Sequence, residues 1–157
     1  MARKAGPVVG KVVADFTLPA TGGEFSLKAA RGTNLVLYFY PRDDTPGCTR
    51  EGEDFSALHA AFARAGTRVV GISADSLAAH EKFRAKMKFP FELASDADQK
   101  VCKVFDVIRE KSMYGRLFLG LERSTFLIDA HGKLRREWRK VRVNGHAAEV
   151  LEAARAL

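Results

Sequence analysis

The stretch Asn34–Phe55, NLVLYFYPRDDTPGCTREGEDF, decides the fold. Its first part, NLVLYFY, is a near-continuous apolar run, rich in aromatic and branched residues. That pattern predicts a strand covered on both faces. Pro41 ends it, because proline brings no N–H to a sheet ladder. Thr45 then stands as a helix N-cap, with Pro46 at the favoured first helical position. Beyond it, Phe55, Leu58, Phe62 and Ala65 recur at spacings of three and four, which predicts a helix from Cys48 to Ala65. A buried strand feeding a helix through a short loop is one half of a parallel βα unit.

The rest of the chain extends that pattern. RVVGIS (68–73) and STFLID (124–129) read as further buried strands. Ala130-His131-Gly132 turns the latter into KLRREW (133–138), completing a hairpin. ADFTLPATGGEFSL (14–27) reads as an N-terminal hairpin around a Thr-Gly-Gly turn. Helices are expected over 76–87, with Ser76 as cap, over 96–105 and over 145–157. No linker or repeat divides the chain. The expectation is an α/β domain of three layers, with a mixed central sheet and an N-terminal hairpin, spanning 1–157 as a single domain.

Composition sets the outer bounds. With 157 residues, 46% of them hydrophobic, the chain fills an ordinary core without a disulfide or metal staple. MARKAGPVVGKVVADF (1–16) is too polar and too interrupted by Gly and Pro for a signal peptide. No apolar run approaches the ~20 residues that span a bilayer, so no membrane segment is expected. Two cysteines and no secretion signal fit a reducing, cytoplasmic setting. The net charge of +7 raises the question of nucleic acid. The densest basic run, LRREWRKVR (134–142), reads instead as a solvated edge strand, where charge blocks edge-to-edge pairing. No recognition motif accompanies the charge, so nucleic acid is not an expected partner.

Cys48 is where the chemistry concentrates. In the first helical turn its sulfur faces unsatisfied N–H groups and the positive end of the helix dipole. Such a position favours the thiolate, the nucleophilic form of cysteine. Cys48, Gly52, Phe55, His59 and Phe62 share one stripe, so the sulfur turns inward and stays partly exposed, with Gly47 leaving its approach open. A small buried apolar residue is the bland alternative. Disulfide cycling of the thioredoxin type needs a second cysteine where Glu51 stands. None of His59, His80, His131 and His146 is assignable as the base of a cysteine hydrolase. No metal site or cofactor is expected, since Cys48 and Cys102 lie far apart and no His pair has ligand spacing.

PRDDTPGC (41–48) matches the Pro-x-x-x-Thr-x-x-Cys motif of the peroxiredoxins. With VVGISADSLAAHEKF (69–83), FPFELASDADQKVCKVFDV (89–107) and LERSTFLIDAHGKL (121–134), the chain from Val12 to its C-terminus resembles the bacterioferritin comigratory protein, or Q-type, branch. The resemblance implies a thioredoxin-like fold and an enzyme, a thiol-dependent peroxidase. Its substrates are hydrogen peroxide and organic hydroperoxides, and its reductant a thiol such as thioredoxin, glutaredoxin or glutathione. Cys48 would be the peroxidatic cysteine, oxidised to a sulfenic acid. Thr45 would hydrogen-bond the thiolate and the peroxide, and Pro41 would shield the sulfur. Arg123 would stabilise the thiolate and the charge developing on the peroxide oxygens. The Cys48 N–H would assist as an oxyanion donor does. Glu51 occupies the family's usual place, although a carboxylate placed in the first turn to suit the dipole explains it as well. Members of the branch are often monomers, and a monomer is expected here.

The pattern departs from the branch at the resolving cysteine. Glu53 and Arg84 stand where partners of Cys48 occur in its two groups. Only Cys102 remains, and a core role suits it better than a resolving one. The expectation is a one-cysteine enzyme whose sulfenic acid is reduced by an external thiol. A Cys48–Cys102 cycle and a peroxide-sensing relay are the alternatives. A basic, non-enzymatic binding domain is the competing class, and it predicts an unreactive Cys48.

Overall fold

Six of the seven residues of NLVLYFY form β3 (Asn34–Phe39), the strand next to the centre of the sheet. Leu35 to Tyr40 are all buried, as the apolar run requires. The computed structural model describes residues 6–157; the first five residues of the stretch read as lacking a signal peptide lie outside them. Before β3 come β1 (Thr17–Ala20) and β2 (Gly23–Ser26), the expected hairpin. After it follow α1 (Pro46–Ala57), α2 (His59–Arg64), β4 (Thr67–Ser73) and α3 (Leu77–Met87). Then come β5 (Glu92–Ser95), α4 (Lys100–Val104), β6 (Ile108–Met113) and β7 (Arg116–Leu121). The chain closes with β8 (Ser124–Ile128), β9 (Leu134–Trp138) and α5 (His146–Arg155).

Seven strands make one sheet in the order β2-β1-β5-β4-β3-β8-β9. β3, β4 and β5 are parallel, while β8 runs antiparallel to β3 and β9 to β8. The mixed sheet is as expected, and β9 with its basic run is an edge strand. Alternation along β3 feeds two cores. Leu35, Leu37 and Phe39 pack with Phe25, Cys102, Phe105 and Phe126 on one face. Val36, Tyr38 and Tyr40 pack with Cys48, Phe55, Phe62, Phe83 and residues of α5 on the other. So α1, α2, α3 and α5 cover one face, and α4 with the N-terminal segment covers the opposite one.

Several expectations need correction. The long helix breaks at Leu58, whose backbone (φ −100°, ψ 7°) leaves the helical region. The helix expected over 96–105 holds only 100–104, because the Asp96 carboxylate takes the N–H groups of Val101 (3.2 Å) and Cys102 (2.6 Å) and starts it late. Within it Val101 is buried and Val104 is exposed. β5, and the hairpin of β6 and β7, were not foreseen. β5, though buried from Leu93 to Ser95, is only four residues long and too short to show a period, and β6–β7 is a separate two-stranded sheet whose Met113, Leu117 and Leu119 are exposed. Ser76 does cap α3, accepting the Ala79 N–H at 3.1 Å. Among the described residues no helix is long and apolar enough to cross a membrane.

Candidate active site

Two strand registers assemble the site. β3 ends at Phe39, and Phe39 pairs with Ser124, the first residue of β8. Arg123 therefore lies beside the point where the loop from β3 to α1 begins. Its carbonyl is fixed by the Val141 N–H at 3.0 Å. The 75-residue separation from Cys48 vanishes because β3 and β8 are sheet neighbours.

α1 starts at Pro46, as its sequence predicted, so Cys48 is the third helical residue. The first bond inside the helix is Thr49 N–H to the Thr45 carbonyl at 2.8 Å. The N–H groups of Gly47 and Cys48 thus have no partner within the helix, and they are the positive end of its dipole. Cys48 is 2% exposed, more deeply set than the partial exposure expected for its sulfur. Gly52 and Phe55, on the same stripe, hold α1 down against Phe89 and Tyr38.

The Arg123 guanidinium reaches the sulfur. Nη2 lies 3.4 Å from Cys48 Sγ, and Nη1 lies 2.6 Å from Glu51 Oε1. Burial opposes the charge on Arg123, but Glu51 and Cys48 outweigh it and hold the guanidinium cationic. Burial likewise pushes the Glu51 carboxyl up to about 7, with the Arg123 cation pulling the other way. Glu51 Oε2 is buried without a hydrogen bond. Glu51 is the sixth residue of α1, not a first-turn residue. The first-turn dipole explanation therefore fails, and the structure instead pairs Glu51 with Arg123.

Thr45 occupies the cap position but does not cap. Its hydroxyl donates to the Arg42 carbonyl at 2.9 Å. With its proton on Arg42, the lone pairs of the oxygen remain available as acceptors. Pro41 lies exposed at the start of the same loop.

Cys102 stands apart from these residues. It is fully buried in the core on the opposite face of the sheet from Cys48. Burial first, then a hydrogen bond to Asp96, pushes its thiol far above the usual range. A disulfide needs Cα atoms within about 7 Å. Layers packed on opposite faces of a sheet are separated by about twice the ~10 Å spacing of packed layers.

The sequence missed the partners of the loop. Asp43 and His80 meet at 2.7 Å, and Asp75 accepts the Asp43 N–H at 2.9 Å. A polar residue on the inward side of an amphipathic helix, as His80 is on α3, was the available signal.

A mixed sheet with a helix-terminal thiol beside a cation at the carboxyl end of its strands defines a thioredoxin-like thiol enzyme. Residues 9–137 match the AhpC/TSA family, and the chain belongs to that family, within its Bcp/PrxQ peroxiredoxins. The Xanthomonas campestris protein Peroxiredoxin Bcp is 51% identical over 143 residues, covering 90% of this chain and 89% of that one. The Bacillus subtilis Peroxiredoxin Bcp is 44% identical over 145 residues, covering 92% of each. Among solved structures, Xanthomonas campestris Peroxiredoxin Q has a TM-score of 0.86 at 51% identity, over 90% of each chain. A mutant of Xylella fastidiosa PrxQ has a TM-score of 0.91 at 41% identity, over 97% of this chain and 98% of that one. One Xanthomonas campestris structure concerns the alkyl peroxide reduction activity of its bacterioferritin comigratory protein. The chain is accordingly an enzyme, a peroxiredoxin with thiol peroxidase activity.

Proposed function

We propose that the chain reduces hydrogen peroxide and organic hydroperoxides at Cys48, and that an external thiol completes the cycle. The observation that carries this is the 3.4 Å approach of Arg123 Nη2 to the Sγ of Cys48, a buried residue at a helix N-terminus. The Cys48 thiolate attacks one peroxide oxygen. The S–O bond forms as the O–O bond breaks, and the leaving oxygen departs as water or alcohol after taking a proton. Arg123 and the free N–H groups of the first turn stabilise the charge that develops on the oxygens. Thr45 Oγ1 accepts from the peroxide O–H and orients it. Pro41 limits access of bulk water from its side of the loop. The activity reported for the Xanthomonas campestris relative supports organic hydroperoxides as substrates.

Resolution by an external thiol is supported by the sheet standing between Cys48 and Cys102, and by the weak acidity of the Cys102 thiol. The first thiol condenses with the sulfenic acid and releases water. A second thiol then releases the Cys48 thiol and leaves as a disulfide with the first. Thioredoxin, glutaredoxin and glutathione each supply such thiols, and the reducing conditions they maintain suit a monomer acting in the cytoplasm. Peptide mapping after one equivalent of peroxide without added thiol tests the cycle. A sulfenic acid on Cys48 is the expected product. An intrachain Cys48–Cys102 disulfide would overturn external resolution, and full activity in Cys48→Ser would overturn the peroxidase assignment at this residue.

A further inference from the structure

The loop that carries Thr45 is anchored from below by side chains that play no part in the chemistry above. Asp43 commits its N–H and both carboxylate oxygens to that anchor. Its N–H donates to Asp75 Oδ2 at 2.9 Å, and its Oδ1 accepts from the Tyr40 hydroxyl at 2.6 Å. Its Oδ2 faces Nδ1 of His80 at 2.7 Å. His80, on α3, is wholly buried, and its Nε2 lies 3.0 Å from the Ala94 carbonyl on β5. A carbonyl only accepts, so Nε2 carries a proton. The 2.7 Å contact on the other side of the ring then needs a proton between Nδ1 and the carboxylate, giving a charge-assisted bond in a dry setting.

One peptide unit connects this network to the site. The peptide joining Arg42 and Asp43 has its N–H held by Asp75, and its C=O accepts the Thr45 hydroxyl at 2.9 Å. Whatever fixes that plane fixes where the Thr45 proton points, and hence where its lone pairs point. We propose that the buried Asp43–His80 pair, with Asp75, is a positioning device that aims the Thr45 lone pairs at the incoming peroxide. The inference rests on the peroxidase reading. The three side chains have the composition of a metal site, all ligand atoms lying within 4.8 Å of one another. The direct 2.7 Å contact between His80 and Asp43 leaves no room for an ion between them, so the cluster is assigned to hydrogen bonding.

Two near-isosteric substitutions separate the two bonds of His80. An asparagine amide nitrogen overlays Nδ1 and keeps the donor to Asp43, whereas a glutamine amide nitrogen overlays Nε2 and keeps only the bond to Ala94. The measurement is the rate of sulfenic acid formation on Cys48 with hydrogen peroxide, trapped by dimedone and read by mass spectrometry. H80Q and D43N are expected to be about tenfold slower than wild type, with H80N rescued to within about threefold. Reduction of the preformed sulfenic acid by a small thiol should be unchanged in all three. In a Thr45→Val background, H80Q should slow oxidation no further, because His80 acts through Thr45. Equal slowing by H80N and H80Q, or an additive effect on top of Thr45→Val, would overturn the proposal. Should H80Q not fold, D43N carries the same comparison from the loop side. A wild-type protein whose Cys48 does not oxidise refutes the peroxidase reading itself, and the inference with it.

Discussion

Gly47→Ala asks how accurately the guanidinium must sit. Gly47 is the exposed second residue of α1, and a β-carbon there would lie 3.1 Å from Arg123 Nη2. Ordinary contacts begin near 3.4 Å, so the guanidinium must give by a few tenths of an ångström. It has little freedom to do so gently, because Nη1 is already 2.6 Å from Glu51 Oε1. Nη2 is also the nitrogen that meets Cys48 Sγ at 3.4 Å. A hydrogen bond to a charged group contributes about 1.5–3 kcal/mol. Weakening it by a third to a half costs about 1 kcal/mol, or roughly fivefold in the rate of thiolate attack. The fold should not suffer, since alanine is favoured over glycine in helices by up to ~1 kcal/mol. The melting temperature is expected to hold or rise by about 2–4 °C. Stopped-flow oxidation of Cys48 by hydrogen peroxide, with calorimetry on the same samples and Arg123→Ala as the reference for full loss, makes the test. A Gly47→Ala rate equal to wild type, alongside a crippled Arg123→Ala, would refute the claim that the contact distance matters.

Cys102→Ser should retain peroxide turnover with an external thiol to within about twofold, measured by steady-state peroxide consumption, because the sheet keeps it from Cys48. Gly52→Ala drives a β-carbon into the Phe89 ring, which is stacked on Phe91 and edge-on to Phe83, so denaturant melts should show a loss of about 1–3 kcal/mol. The Glu51 carboxyl, raised from 4.5 to about 7 by burial, contributes stability present below pH 4.5 and lost as pH rises through 7. The His146 imidazole, lowered from 6.5 to about 4 by burial, contributes stability present above pH 6.5 and lost as pH falls through 4. The two slopes oppose each other over nearly the same range, each by up to about 3 kcal/mol. Urea melts from pH 4 to 8 should therefore be flatter for wild type than for Glu51→Gln, which keeps only the His146 slope; equal pH profiles would contradict this.

By itself, the sequence determined the elements whose periodicity or chemistry is local. The apolar run of β3, the Thr-Pro start of α1, the Ser76 cap and the Pro-x-x-x-Thr-x-x-Cys motif are each written in a few consecutive residues, and their short-range physics survived folding. Resemblance alone drew Arg123 from a sequence full of cations, and the β3–β8 register is the physical reason it lies beside Cys48. Other features were decided only in three dimensions. The Thr45 hydroxyl turned from the helix to the Arg42 carbonyl because Asp43, Asp75 and His80, distant in the chain, fix the peptide before it. Glu51 turned from a dipole residue into the buried partner of Arg123 because α1 starts at Pro46 and carries position 51 around to the arginine. The fate of Cys102 depended on which face of the sheet α4 covers. Hydrophobic spacing can say that a residue is buried, but not on which side of a sheet, since both faces draw on the same apolar residue types. That choice, made by topology, is what separates the two cysteines of this enzyme.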